Sequence, residues 1–259
     1  MAGRLTEKRE SFGLKRSTLR IIGMSFAALG LLSRGLLQTR VLGVGVSAGE
    51  ELLKTLELSG GMAAATTALV LEGLETCAVP VFAALLLEGF ANTTSFRNYF
   101  LRVAGLAVVC ELPYNFAVSG KLIEGSSRNP VFGLALALVM LYFFRYSEKT
   151  GTKSILLKLA VFAATFLWTV LFRVKFGVMM IVIVAILWLL RRRHTLSYLA
   201  ATAGTVCCCI GNPLYMFAPF GFLVVHFYNG EQGRENQVLQ YAIYPLLLIL
   251  TGAVGKLLF

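Results

Sequence analysis

Long uncharged apolar stretches, separated by short clusters of Lys and Arg, run through most of this 259-residue chain. About 20 apolar residues carry an α-helix across the hydrocarbon core of a bilayer. Inside that core every backbone N–H and C=O must be satisfied within the segment, so repeated stretches of this kind fold as a bundle of helices. Hydrophobic residues make up 57% of the chain and charged residues 14%, whereas soluble domains carry about a quarter charged residues. A soluble globular enzyme, a disordered chain and a disulfide-stapled scaffold are thereby excluded. The expected fold is all-α, a polytopic transmembrane bundle of about nine spans, with eight to ten allowed by length.

The spans are expected near residues 19–37, 62–88, 101–118, 130–146, 155–172, 176–190, 196–211, 213–228 and 239–259. A basic tail over residues 1–18 precedes a single transmembrane domain over 19–259. No small-residue cleavage site follows the first apolar run cleanly, and Arg34 interrupts it, so it reads as a retained span. Residues 38–61 form a glycine-rich loop with room for a short amphipathic helix on Leu52, Leu53 and Leu56. The tight Arg173–Lys175 turn and the Gly211-Asn212-Pro213 break are the least regular connections.

Nine spans place sixteen of the 24 basic residues on the N-terminal side and seven on the other, with Arg34 inside the membrane. The positive-inside rule then puts the N-terminus in the cytoplasm and the C-terminus outside. The formal net charge of +11 is therefore a topology signal. Membrane lipids are the expected partners, and nucleic acid is not, because the basic residues are dispersed among apolar spans. The five cysteines lie in apolar stretches without metal-ligand spacing, so neither a disulfide nor a metal is expected.

Ionisable groups inside a bilayer are costly and normally face the bundle interior, pair, and mark function. Those here are Arg34 in the first span, Glu72, Glu75 and Glu88 in the second, and Glu111 in the third; no Asp occurs. Glu72 and Glu75 share a helix face. Arg34 either neutralises one of them or contributes to a substrate site. Pro80 is expected to kink the second span. Glu111-Leu-Pro-Tyr-Asn115 reads either as a broken helix exposing polar groups or as a Pro-terminated helix with an interfacial Tyr and an Asn cap. Asn129-Pro130 reads as a structural N-cap. His194 follows three arginines at headgroup level, whereas His226, before Tyr228-Asn229, is the histidine better placed for general-base chemistry. No nucleophile elbow, zinc or phosphate-loop motif is present.

Several stretches resemble the TraX family of bacterial membrane proteins: Val79-Pro-Val-Phe-Ala-Ala-Leu-Leu-Leu-Glu-Gly-Phe90, Asn98-Tyr-Phe-Leu-Arg102, Cys110-Glu-Leu-Pro-Tyr-Asn115, Asn129-Pro-Val-Phe132, Phe227-Tyr-Asn-Gly230 and Tyr241-Ala-Ile-Tyr-Pro245. The resemblance implies an inner-membrane acyltransferase linked to conjugation and pilin acetylation. It would move an acyl group from a cytoplasmic donor, acetyl-CoA, to an amine or hydroxyl on a protein N-terminus or a small molecule, with no bound cofactor. Family members carry an Asp-His pair in the first span, where this chain has Ser33 and Arg34. The base then falls to Glu75 or His226, with Arg34 as anion partner. Glu72, Glu88, Arg102, Glu111, Tyr114, Asn115 and Asn229 are the expected substrate-binding positions. The alternative is a non-catalytic binding or transport protein that uses the intramembrane Glu/Arg cluster.

Overall fold

The computed structural model describes residues 13–42, 62–148, 154–231, 233 and 237–258, so the residues proposed for an amphipathic helix lie outside the described ones. Helix α1 (Arg16–Leu32) continues into a π-helical segment (Ser33–Val41). There follow α2 (Met62–Thr76), α3 (Ala78–Asn92), α4 (Phe96–Ser119), α5 (Val131–Ser147), α6 (Ser154–Leu171), α7 (Gly177–Leu189) and α8 (His194–Cys208). A 3₁₀ turn (Pro213–Phe217), α9 (Pro219–His226) and α10 (Gln237–Leu258) complete the described chain. No strand forms among the described residues, which make only the isolated bridges Leu14 with Tyr228 and Arg128 with Val174. Four segments are long and apolar enough to cross a bilayer by length and composition: Arg16–Gln38, Ala63–Asn92, Phe96–Ser119 and Ser154–Leu171. With the five shorter apolar helices they follow the expected nine spans in order. The protein is a helical membrane bundle.

The helices divide by what surrounds them. α7 is central, burying Met179, Ile181, Ile183 and Val184 completely. α6 is peripheral: it buries Thr165 and Thr169 but leaves Ile155, Leu156, Leu159 and Leu167 exposed. A helix apolar on every side, with its outer face uncovered, is matched to lipid rather than water.

The second span is broken, as Pro80 leads one to expect. Proline has no N–H for the carbonyl four residues earlier, that of Thr76, and α2 ends at Thr76 while α3 starts at Ala78. A second interruption packs against this one. Asn212 caps the 3₁₀ turn by accepting from the Leu214 amide (3.0 Å), and Pro219 restarts the chain as α9. The Cys77 thiol donates to the Phe217 carbonyl at 3.1 Å. A Cβ placed on Gly221 would lie 2.3 Å from the Cys77 carbonyl oxygen, a backbone atom that cannot swing aside. Gly221→Ala is therefore expected to destabilise the bundle by about 1–3 kcal/mol, read as an earlier thermal unfolding midpoint in detergent. Gly211→Ala, whose Cβ would meet nothing closer than 3.6 Å, is the control.

Pro113 behaves differently, and here both sequence readings need correction. α4 runs through it without interruption and stops at Gly120, which takes a left-handed φ of 72°. A single proline removes one ladder hydrogen bond, and packed transmembrane helices tolerate that loss. Glu111, Tyr114 and Asn115 consequently share one face of a continuous helix.

Candidate functional site

The first span turns polar where its winding changes. In the π-helical segment the i→i+5 bonding brings Ser33 and Gln38 together: Gln38 Nε2 donates to Ser33 Oγ at 3.1 Å, and Ser33 Oγ donates to the Ala68 carbonyl at 2.7 Å. Arg34 pairs with Glu72 through Nη2 and Oε1, and Gln38 supplies a second donor to Glu72 Oε2 at 2.9 Å. Glu72 is 3% exposed, so its carboxylate depends on these donors in place of water. Arg34 thus joins the first two spans through Glu72 rather than Glu75.

Glu75 takes another cation. One turn along α2, it is clasped by Lys175, whose Nζ lies 2.6 Å from Oε2 and also contacts Oε1. Both side chains are buried, at 4% and 6% exposure. Lys175 comes from the turn between α6 and α7, where Arg173 and Phe176 hold left-handed φ values of 50° and 57°. Non-glycine residues persist there only when their surroundings fix them. The fixing is visible: Arg128 N donates to Arg173 O and Lys175 N to Arg128 O, each at 3.1 Å. Arg128 is itself tied to Glu111 at 2.7 Å. Asn129 donates from Nδ2 to Glu111 Oε2 (2.7 Å) and to the Ala107 carbonyl (2.8 Å), while its Oδ1 caps the Val131 amide (3.0 Å). Glu111 and Asn129 therefore position Lys175 through the backbone they hold. The charges of Arg34, Glu72, Glu75 and Lys175 all act on one another, two of each sign.

Glu75 and Lys175 form one end of a cavity of about 200 Å³. Arg16, Arg20, Met24 and Ala27 line it from α1, at spacings of four, four and three that keep one helix face turned inward. From Arg16 to Ala27 that face extends about 16 Å. Val79, Phe82 and Leu86 of α3 and Val103 and Leu106 of α4 add apolar wall, as do Leu134 of α5, Phe176 of the α6–α7 turn and Met180 of α7. Tyr99, Tyr241 and Tyr244 carry the remaining hydroxyls. The result is a largely apolar cavity bordered by two arginines of α1 and by the buried Glu75–Lys175 pair.

The family described as TraX protein matches residues 62–254, about three-quarters of the chain. The chain belongs to the TraX family. Neither a curated protein nor a solved structure matches it.

In this TraX protein the residues singled out from sequence are dispersed over the bundle. Glu75 alone among them lines the cavity. Arg34 and Glu72 pair beside it, and Tyr114 is buried within range of Arg34's charge. Glu111 belongs to the brace behind Lys175. Asn115 is buried and donates to the Leu122 carbonyl at 3.5 Å, closing the end of α4. At the opposite end of the bundle the Tyr228 hydroxyl donates to Glu88 at 2.7 Å. Asn229 donates to the Gly13 carbonyl (3.3 Å) and accepts from the Glu231 amide (3.0 Å); these contacts fasten the N-terminal segment. Arg102 and His226 are exposed and outside the cavity wall, with the imidazole against Phe227 (centroids 5.7 Å apart).

Sequence reasoning missed Lys175 and the cavity role of Arg16 and Arg20, counting all three as topology charges. The four-residue spacing of Arg16, Arg20 and Met24 was the available signal for the arginines. For Lys175 there was only the need of a buried Glu for a cation.

Proposed function

We propose that this TraX protein is an acyltransferase of the plasma membrane that moves an acetyl group from cytoplasmic acetyl-CoA to an amine or hydroxyl, in a process linked to conjugation. One observation carries the reading: a largely apolar cavity lined by Glu75, a carboxylate buried against the Lys175 ammonium. Glu75 is the base. As the acceptor N–H or O–H proton passes to its carboxylate, the acceptor attacks the thioester carbonyl, and the neutralised Glu75 loses its hold on Lys175. The Lys175 ammonium then serves the developing oxyanion. Collapse breaks the C–S bond, and the thiolate leaves with the proton from Glu75. Arg34 keeps Glu72 neutralised so that it does not compete for Lys175.

Purified protein incubated with labelled acetyl-CoA is expected to transfer or hydrolyse the acetyl group, and Glu75→Gln is expected to lower turnover by about 100-fold or more while acetyl-CoA binding persists. Absence of transfer, hydrolysis and binding together would overturn the reading. The closure of all four charges into two ion pairs favours a second one, a binding or transport protein that opens the Glu75–Lys175 pair for a solute or proton. Proton-coupled uptake in proteoliposomes that Glu75→Gln abolishes would establish it.

A further inference from the structure

Tyr99, Tyr241 and Tyr244 line the cavity, and none of their hydroxyls meets a hydrogen-bond partner among the described residues. Buried tyrosines normally find one. Tyr228, outside the cavity wall, does so by donating to Glu88. Hydroxyls left open on a cavity wall are available to whatever enters it.

The three are not equivalent. Tyr99 lies within range of the charges of Arg16, Arg20 and Glu88, and of Tyr241. Tyr244 follows Tyr241 by three residues, so both project from one face of α10, about 4.5 Å apart along the axis. Tyr244 is 6% exposed and within range of Glu75's charge. It therefore shares the Glu75 region of the cavity wall.

The Glu75–Lys175 pair creates a need for such a hydroxyl. Before reaction the Lys175 ammonium is committed, because it clasps both oxygens of Glu75. It is released only as Glu75 takes the acceptor's proton. A thioester that arrives before that step needs another donor to fix its carbonyl against the attacking atom. A phenol supplies one without changing its own charge, and in apolar surroundings that hydrogen bond is strengthened.

We propose that Tyr244 is a catalytic residue whose hydroxyl donates to the thioester carbonyl oxygen and holds the acyl carbon in front of the acceptor that Glu75 deprotonates. This role rests on the reading of the cavity as the acetyl-CoA site and adds the group that touches the acyl carbonyl. As the acceptor nitrogen or oxygen bonds to the acyl carbon, the carbonyl electron pair moves onto oxygen. There the Tyr244 hydroxyl and the freed Lys175 ammonium both donate to it. When the C–S bond breaks, that pair re-forms the carbonyl. The sulfur leaves with the C–S electrons and takes the proton from Glu75, while Tyr244 keeps its own proton throughout.

The test compares the full chain with Tyr244→Phe in detergent, using acetyl-CoA isotope-labelled at its carbonyl. Tyr244→Phe is expected to lower kcat by about 100-fold, the effect of losing one oxyanion donor. KM for acetyl-CoA rises less, because the hydrogen bond strengthens as the oxyanion develops. The unfolding midpoint is expected to stay unchanged, since no intramolecular hydrogen bond is lost. In infrared difference spectra the bound thioester carbonyl is expected below its frequency in apolar solvent, and to rise in Tyr244→Phe. A structural tyrosine would leave that band in place. The spectrum of the unaltered protein suffices where the variant fails to fold: a band at the apolar-solvent frequency would mean that no donor reaches the carbonyl, and would overturn the proposal. A loss of turnover accompanied by a lower unfolding midpoint and an unmoved band would also overturn it. Acetyl transfer that Tyr244→Phe leaves intact sinks this inference alone. A bound thioester whose band rises in Tyr244→Phe, without transfer or hydrolysis, sinks only the enzymatic reading. Failure of the unaltered protein to bind acetyl-CoA removes both.

Discussion

Replacing Lys175 by Met is expected to destabilise the bundle more than any other single change considered, by about 3–5 kcal/mol, the range for removing one partner from a buried ion pair. The substitution keeps the volume of the side-chain stem but leaves the Glu75 carboxylate buried with a second carboxylate, Glu72, one turn away. Arg34 does not make up the loss, because its Nη2 is held on Glu72. The remedy separates charge from packing. Glu75→Gln combined with Lys175→Met removes both charges and is expected to recover most of the stability, since apolar or neutral replacements of a whole buried pair are often close to neutral. Thermal unfolding in detergent of the two single variants and the double variant gives the coupling directly. A double variant as unstable as Lys175→Met would mean that Lys175 matters through the contact of its ammonium with the Phe176 ring, 4.8 Å from the centroid, and not through Glu75.

Gly30→Ala is expected to be nearly as severe, for a steric reason. A Cβ at position 30 would lie 2.0 Å from both Cδ and Oε2 of Glu75. One methyl group would therefore occupy the space of the carboxylate and push it off Lys175. Overpacking of this kind costs about 1–3 kcal/mol, and the broken pair adds to it. The variant is expected to fold with a lowered unfolding midpoint and to lose activity as Glu75→Gln does. In Glu75→Ala, where the space is vacant, adding Gly30→Ala is expected to cost little. Additive losses in that pair would place the clash elsewhere.

Span positions were legible because hydrophobic length is a local property: all nine apolar segments appear where uncharged runs of residues predict them. The break at Cys77 was legible through Pro80, whose missing N–H acts four residues away. Pro113 was misread because the same missing bond can be absorbed by a packed helix, and packing is not visible in ELPYN. The site was half legible. Glu72, Glu75 and Arg34 announce themselves as charges in apolar sequence, and Arg34 does neutralise Glu72. Lys175 is separated from Glu75 by 100 residues and sits in a short basic connection that looks like any loop. What takes it inward is the backbone bridge to Arg128, and that follows from Glu111 and Asn129 across two other helices. The matched stretches around Glu88 and Asn229 fasten the end of the bundle.

Arg34, Glu72, Glu75 and Lys175 sum to zero charge, and this has an electrical consequence. A membrane potential of 100 mV acts on each elementary charge with about 2.3 kcal/mol, but on a balanced set that moves together it does no net work. The intact core is blind to voltage. A protein with any one of the four neutralised carries a net charge in its interior, and its stability and conformational equilibria then vary with the energised state of the membrane that holds it.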